Sequence, residues 1–113
     1  MNLVRTVTIY KATQKGKGEK ILQTGFQADD FPYNPPFADG KCYFAAENSR
    51  SLAEEYNKYY KDGILEVTID KEIYEEYFQP LERPYQGSVL IELPIPQNLF
   101  PILNQFSRVL KSH

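Results

Sequence analysis

Between Gly40 and Tyr60 the chain reads GKCYFAAENSRSLAEEYNKYY, and no other stretch narrows the available folds as much. Cys42, Tyr43 and Phe44 form a short aromatic strand entered through a glycine, and the small residues Ala45 and Ala46 turn the chain. Asn48, Ser49 and Ser51 then compete to cap a helix, with Ser51 and Glu54 at the spacing of a capping box. Leu52, Tyr56 and Tyr59 or Tyr60 fall at i, i+4, i+7 and i+8, on one helical face, and Gly63 stops the helix. If the protein has a ligand site, this strand–turn–helix unit is expected to form its floor.

The remaining segments are short. Residues 3–12, LVRTVTIYKA, alternate, with Leu3, Arg5, Val7 and Ile9 on one side and Val4, Thr6, Thr8 and Tyr10 on the other. That pattern, rich in β-branched residues, predicts a strand. Residues 64–70, ILEVTID, predict a second, with Leu65, Val67 and Ile69 on one face. Residues 87–95, GSVLIELPI, predict a third, with Pro94 at an edge or a strand end. Residues 19–23 suggest a helical turn ending at a left-handed Gly25, and residues 71–78 a short helix or an irregular excursion. After Pro101 a C-terminal helix or extended strand is expected. Between Gln27 and Asp39 three prolines forbid a regular element, while Phe31, Tyr33 and Phe37 are too apolar for a disordered linker. An ordered loop is expected there, either functional or an aromatic plug over the core. The whole describes one domain, residues 1–113, of the α+β class.

Composition excludes several functions. The net charge of −2 and pI near 5.4 argue against a general nucleic-acid backbone binder. The one basic cluster, Lys11, Lys15, Lys17 and Lys20, is either a phosphate-steering feature or a solvated loop. A single cysteine, Cys42, rules out an internal disulfide and a cysteine zinc site. With His113 as the sole histidine, a histidine-based triad or metal cluster is excluded. No signal-peptide pattern follows Met1 and no apolar run approaches the ~18 residues of a membrane span, so the expectation is a cytoplasmic protein without membrane contact. Nine tyrosines and seven phenylalanines without tryptophan suit a small core of amphipathic rings, or a cleft wall.

Candidates for chemistry are few. Cys42 lies in an apolar strand without a histidine base and is expected to be buried and inert. The acidic doublets Asp29–Asp30, Glu54–Glu55 and Glu75–Glu76 point apart in regular structure and make poor acid–base pairs. Glu92 stands alone inside VLIELPI. A carboxylate there needs water, a partner or a ligand on its face, and by alternation it shares that face with Leu90 and Pro94.

Laid in order, these pieces resemble the ADP-ribosyltransferase fold, in particular its diphtheria-toxin and poly(ADP-ribose) polymerase branch. The likeness rests on IYKAT (residues 9–13), ILQTGF (residues 21–26), GKCYFAAENSRSLAEEY (residues 40–56), ILEVTI (residues 64–69) and ELPIP (residues 92–96). It covers most of the chain through an ordered set of motifs. Lys11 stands where the family usually has histidine or arginine, and lysine lacks the bidentate fork of arginine.

The resemblance implies a small split β-sheet domain with two to three short helices that uses NAD as substrate. Tyr43 would stack on the nicotinamide, with Tyr56 as a second wall, since aromatic faces suit a cationic ring. Glu92 would be catalytic, stabilising positive charge that develops at the ribose. Lys11 would grip the adenosine ribose or a phosphate, and Tyr10, Thr13, Gly25, Phe26, Phe44 and Ser49 complete the implied NAD-binding set. The loop at residues 27–39 would cover the cofactor and select a protein or nucleic-acid acceptor. Such domains occur among toxins and secreted effectors, for which a neutralising or regulatory protein is a natural partner. Two other functions remain open: a non-catalytic binding module on the same fold, recognising a nucleotide, peptide or protein, and an unrelated interaction domain with a tyrosine-rich interface.

Overall fold

The computed structural model describes residues 5–112, so Leu3, Val4 and His113 of the expectations above lie outside the described residues. Alternation builds the centre of the sheet. Strand β1 (Thr6–Ala12) sends Ile9 into the core, and β5 (Ile64–Asp70) sends Leu65, Val67 and Ile69, all four fully buried. The two strands pair antiparallel over their whole length, from Thr6 opposite Asp70 to Ala12 opposite Ile64. Around this pair stand β4 (Cys42–Ala45), β6 (Arg83–Pro84), β7 (Ile91–Ile95) and β8 (Ser107–Lys111). The result is a six-stranded sheet in the order β6-β7-β4-β1-β5-β8, with every pairing antiparallel. With its helices this is an α+β domain.

Each face of the sheet has a distinct cover. The larger core joins the buried face of β1, β4, β5 and β7 to Ile21 of α1 (Lys17–Thr24), to Phe26, and to Phe100 and Leu103 of α4 (Phe100–Leu103). It also takes Tyr74 and Phe78 from a helical excursion, in which α3 (Lys71–Ile73) widens into a π turn over Tyr74–Phe78. The opposite face carries α2 (Arg50–Tyr60), whose Leu52 and Ala53 pack on Ala45 and Ile64 with Tyr10, Tyr85 and Leu90 at the margin. Alanine at 45 and 53 lets helix and sheet approach closely, so this second core is small.

Several local expectations change. The capping box of Ser51 and Glu54 does not form, because α2 begins two residues earlier, with Ser49 at the cap position, and Glu54 pairs with Arg50 at 2.5 Å. The helix ends at Tyr60, before Gly63, with Lys61 in the left-handed cap at φ 60° and its N–H donating to Asn57 O. The third strand starts at Ile91 and not at Gly87, since Gln86 (φ 47°) and Gly87 (φ 76°) form a turn closed by Tyr85 N–H donating to Leu90 O at 2.8 Å. Residues 27–39 do include regular pairing, for the two-residue strands β2 (Tyr33–Asn34) and β3 (Ala38–Asp39) make a small separate hairpin. Phe31 alone acts as a plug, packing against the core, while Tyr33 (73%) and Phe37 (87%) stay exposed. Pro94 is accommodated because β6 reaches only Ile91 and Glu92, which leaves β7 an edge beyond them on that side. The chain closes with both a short helix, α4, and an extended strand, β8.

One carboxylate clips the turn between β1 and α1. Asp62 accepts bonds from the Thr13 hydroxyl at 2.7 Å, Gly16 N–H at 2.9 Å and Gly18 N–H at 2.9 Å. Burial alone would raise its pKa, but the three donors outweigh that and hold it below the ordinary value of 3.8. The carboxylate's contribution is therefore complete above the unfolded value and is lost as pH falls through the lower folded one. Asp62→Ala is expected to cost about 1–3 kcal/mol at pH 7. In urea unfolding curves the gap between wild type and variant should narrow as pH drops below 3.8.

Candidate functional site

The six-stranded sheet has one thin seam. Whereas β1 meets β5 along its full length, it meets β4 at a single residue pair, Tyr10 opposite Ala45. Backbone groups left without a ladder on either side of that pair need other partners, and side chains supply them. Thr8 N–H donates to Glu47 Oε2 at 2.9 Å. In the other direction a continued ladder would set Ala12 opposite Tyr43; instead the Lys11 ammonium donates to Tyr43 O at 3.1 Å. Between the diverging strands, roofed by α2 and walled by residues 83–92, lies a cleft of about 580 Å³. This is within the usual size of a small-molecule site.

Register decides what faces the cleft. Arg83 lies opposite Glu92, Glu92 opposite Ala45, and Ala45 opposite Tyr10, so one row of side chains crosses three strand boundaries on the α2 side. Arg83 Nε donates to Glu92 Oε1 at 2.8 Å, with the Glu92 side chain 15% exposed and that of Arg83 50%. The Arg83 guanidinium also lies over the Tyr43 ring, its Cζ 5.7 Å from the centroid, and reaches toward the Tyr43 hydroxyl at 3.5 Å. That hydroxyl donates to Asp39 Oδ2 at the base of the hairpin. Burial and the Asp39 carboxylate both push the Tyr43 phenol up. Burial would raise Asp39, yet the bonds from Tyr43 and Lys41 hold it below the carboxylate norm. A chain of carboxylate, phenol, guanidinium and carboxylate therefore crosses the cleft floor.

Tyrosines form the roof. Tyr56 is on the cleft side of α2, and its hydroxyl bonds that of Tyr85 at 2.7 Å, the rings meeting edge to face at 6.2 Å. One turn on, Tyr60 stacks on Tyr56 at 6.1 Å. Beside the cleft the Arg50 guanidinium lies over the Tyr10 ring at 5.4 Å and reaches Glu66 at 3.4 Å. Flat aromatic walls, two cationic side chains and one carboxylate suit a ligand that carries both a ring and charge.

Of the residues singled out from sequence, Tyr10, Lys11, Tyr43, Phe44, Tyr56 and Glu92 all line this cleft. Phe44 does so only marginally, being 2% exposed and packed on Phe26. Four others lie elsewhere. Thr13 is buried in its bond to Asp62, beside a smaller cavity of about 170 Å³ that borders Lys11. Gly25 ends α1 at φ 80°, ψ −179°, which is not the expected left-handed helical cap; its own N–H bonds Ile21 O. A Cβ there would come within 2.8 Å of Asn104 Oδ1, which suits only glycine. Phe26 is a core residue whose N–H and C=O are both held by the Asn104 amide, at 2.7 and 3.0 Å. The Ser49 hydroxyl accepts Ile91 N–H at 2.8 Å, tying the start of α2 to β7. Of loop residues 27–39, Asp39 reaches the cleft through its bond from the Tyr43 hydroxyl, while Asp30 and Phe31 line the smaller cavity. The basic cluster is partly neutralised there, since Lys17 and Lys20 pair with Asp30. Cys42 is buried and its thiol is pushed up to about 11, chiefly by burial.

Sequence reasoning missed Arg83, Tyr85 and Tyr60. The Arg-Pro-Tyr run before the third strand is the signal, since a cation and an aromatic flanking a proline mark a strand edge rather than a plain terminator. Among the described residues no helix is long and apolar enough to cross a membrane, and no group of three or more His, Cys, Asp or Glu side chains is arranged to hold a metal ion.

The Tyr56–Tyr85 bond has a measurable consequence. That bond first, and burial second, push the Tyr56 phenol up to about 12. In ring-carbon NMR titrations Tyr56 is expected to ionise near that value, and Tyr85→Phe should bring it down toward the ordinary 10.0. Compared with protein-family models, with curated proteins and with solved structures, the chain matches none.

Proposed function

We propose that the protein is an NAD-dependent enzyme of the ADP-ribosyltransferase kind, transferring ADP-ribose to a protein or nucleic-acid acceptor or hydrolysing NAD. The observation that carries this reading is the convergence of Tyr43, Tyr56 and Glu92, from three separate segments of the chain, on the cleft that opens where β4 leaves β1. A pyridinium ring stacked on Tyr43 would direct the bond from its nitrogen to ribose C1′ toward Glu92. As that bond breaks its electron pair passes to the ring, and nicotinamide leaves neutral. Positive charge then appears at C1′ and the ring oxygen, where a largely desolvated carboxylate stabilises it more than water would. A water or acceptor oxygen bonds C1′ and releases its proton to solvent. With Lys11 bonded to the Tyr43 carbonyl, its proposed part in holding a phosphate or ribose requires that bond to be exchanged.

One observation favours the second reading, a non-catalytic module that binds a nucleotide or peptide in the same cleft. Both candidate reactive groups are already engaged, Glu92 by Arg83 and Lys11 by the Tyr43 backbone. Incubation with NAD separates the two. Nicotinamide release, followed by chromatography, is expected from wild type and to fall at least about 10²-fold in Glu92→Ala. Equal release from both would remove the catalytic assignment. No release, together with a thermal shift on NAD addition worth about 2.7 kcal/mol at 100 times the dissociation constant, would establish the binding module.

A further inference from the structure

One place in the cleft, between Tyr43 and Glu92, is already filled by a side chain of the protein. The Arg83 guanidinium rests over the Tyr43 ring at 5.7 Å and donates to Glu92 at 2.8 Å. An aromatic face beside a carboxylate is an arrangement that holds a flat, delocalised cation, so the occupant reveals what the cradle prefers. A neutral ring entering this place would leave Glu92 without a counter-charge, and an anion would be repelled by it. A second flat cation would restore both contacts.

Arg83 is also easily displaced. Its side chain is half exposed, and it lies on a two-residue strand at the sheet edge. The chain just beyond turns through Gln86 and Gly87 at positive φ. With its Arg83 end half exposed the pair is weak, and its loss changes an equilibrium by no more than about fivefold.

We infer that Arg83 is an internal stand-in for the ligand's own cation: its guanidinium fills the Tyr43–Glu92 cradle in the free protein, and a ligand bearing a flat cation binds by displacing it. The assignment of that ligand rests on the NAD reading above. The oxidised pyridinium supplies the replacing charge, and the neutral dihydropyridine of NADH does not. Arg83 is thus a specificity-determining residue that competes with the substrate.

Two sets of measurements test this, and the first does not depend on NAD. Methylguanidinium titrated into Arg83→Ala, followed by NMR of the Tyr43 ring, should bind saturably and about two- to fivefold more tightly than to wild type. That binding should be lost in Arg83→Ala/Glu92→Gln. Equal responses of wild type and Arg83→Ala overturn the inference. In the second set, calorimetry should show NAD binding Arg83→Gln about two- to fivefold more tightly than wild type, with NADH indifferent to the substitution. Weaker NAD binding in the variant overturns the inference, since Arg83 would then be a group that holds the ligand. On wild type itself, NAD saturation should move the Arg83 Nε–H resonance to its solvent-exposed position; an unmoved resonance also counts against displacement. If methylguanidinium behaves as expected while NAD binds neither protein, the stand-in role holds and the NAD reading fails.

Discussion

A single pair of residues, Tyr10 opposite Ala45, joins the two halves of this sheet. Ordinary ladders join β7 to β4 on one side and β1 to β5 on the other, while between β4 and β1 the backbone ladder shrinks to this one pair. A tighter seam would close the cleft, and a looser one would leave backbone groups unpaired in a partly buried place. The structure meets both demands with charged side chains. Glu47 accepts Thr8 N–H, Lys11 donates to Tyr43 O, and α2 spans the gap from above with Leu52 and Ala53 against Ala45. The cleft is therefore a defect in hydrogen bonding that side chains have made good.

The electrostatics of the cleft follow from that geometry. Separation of the strands exposes Tyr43 and Glu92 enough to need partners, and register supplies Arg83 to both. On the roof, Tyr56 and Tyr85 satisfy each other. Each of these contacts has one exposed partner, Arg83 or Tyr56, so each is cheap to exchange for a ligand contact. Contacts outside the cleft are of another kind. The Asn104 amide on Phe26 and the Asp62 carboxylate on three donors fasten the frame and face no ligand.

Legibility in the sequence followed the range of the interaction concerned. Tyr43, Tyr56 and Glu92 were expected at a cleft from the resemblance, and the local rules of strand alternation and helical period gave only their face-mates, Leu90 and Pro94 for Glu92 and Leu52 for Tyr56. Arg83 was invisible to those rules. Its partner depends on the pairing of β6 with β7, and the segment between them was expected to begin a strand at Gly87, where the chain instead turns. The helix cap failed for a related reason. Ser49 is a good capping residue by type, but its hydroxyl is taken by Ile91, 42 residues away. Gly25 and Phe26 look like a binding motif in isolation, and become structural once Asn104, 78 residues beyond Phe26, is seen to hold them.

By itself, then, the sequence determined the α+β class, the central strands β1 and β5 and most of α2, and the division of β1 and β5 into two faces. Those properties come from backbone periods of 2 and about 3.6 residues, which operate within a few neighbours. Tertiary structure alone decided the strand order, the opening between β1 and β4, and the identity of the cation that sits on Tyr43 and Glu92. Each of these depends on contacts between residues far apart in the chain, and many pairings are compatible with the same local pattern. Only packing of the whole sheet against two unequal cores selects one of them.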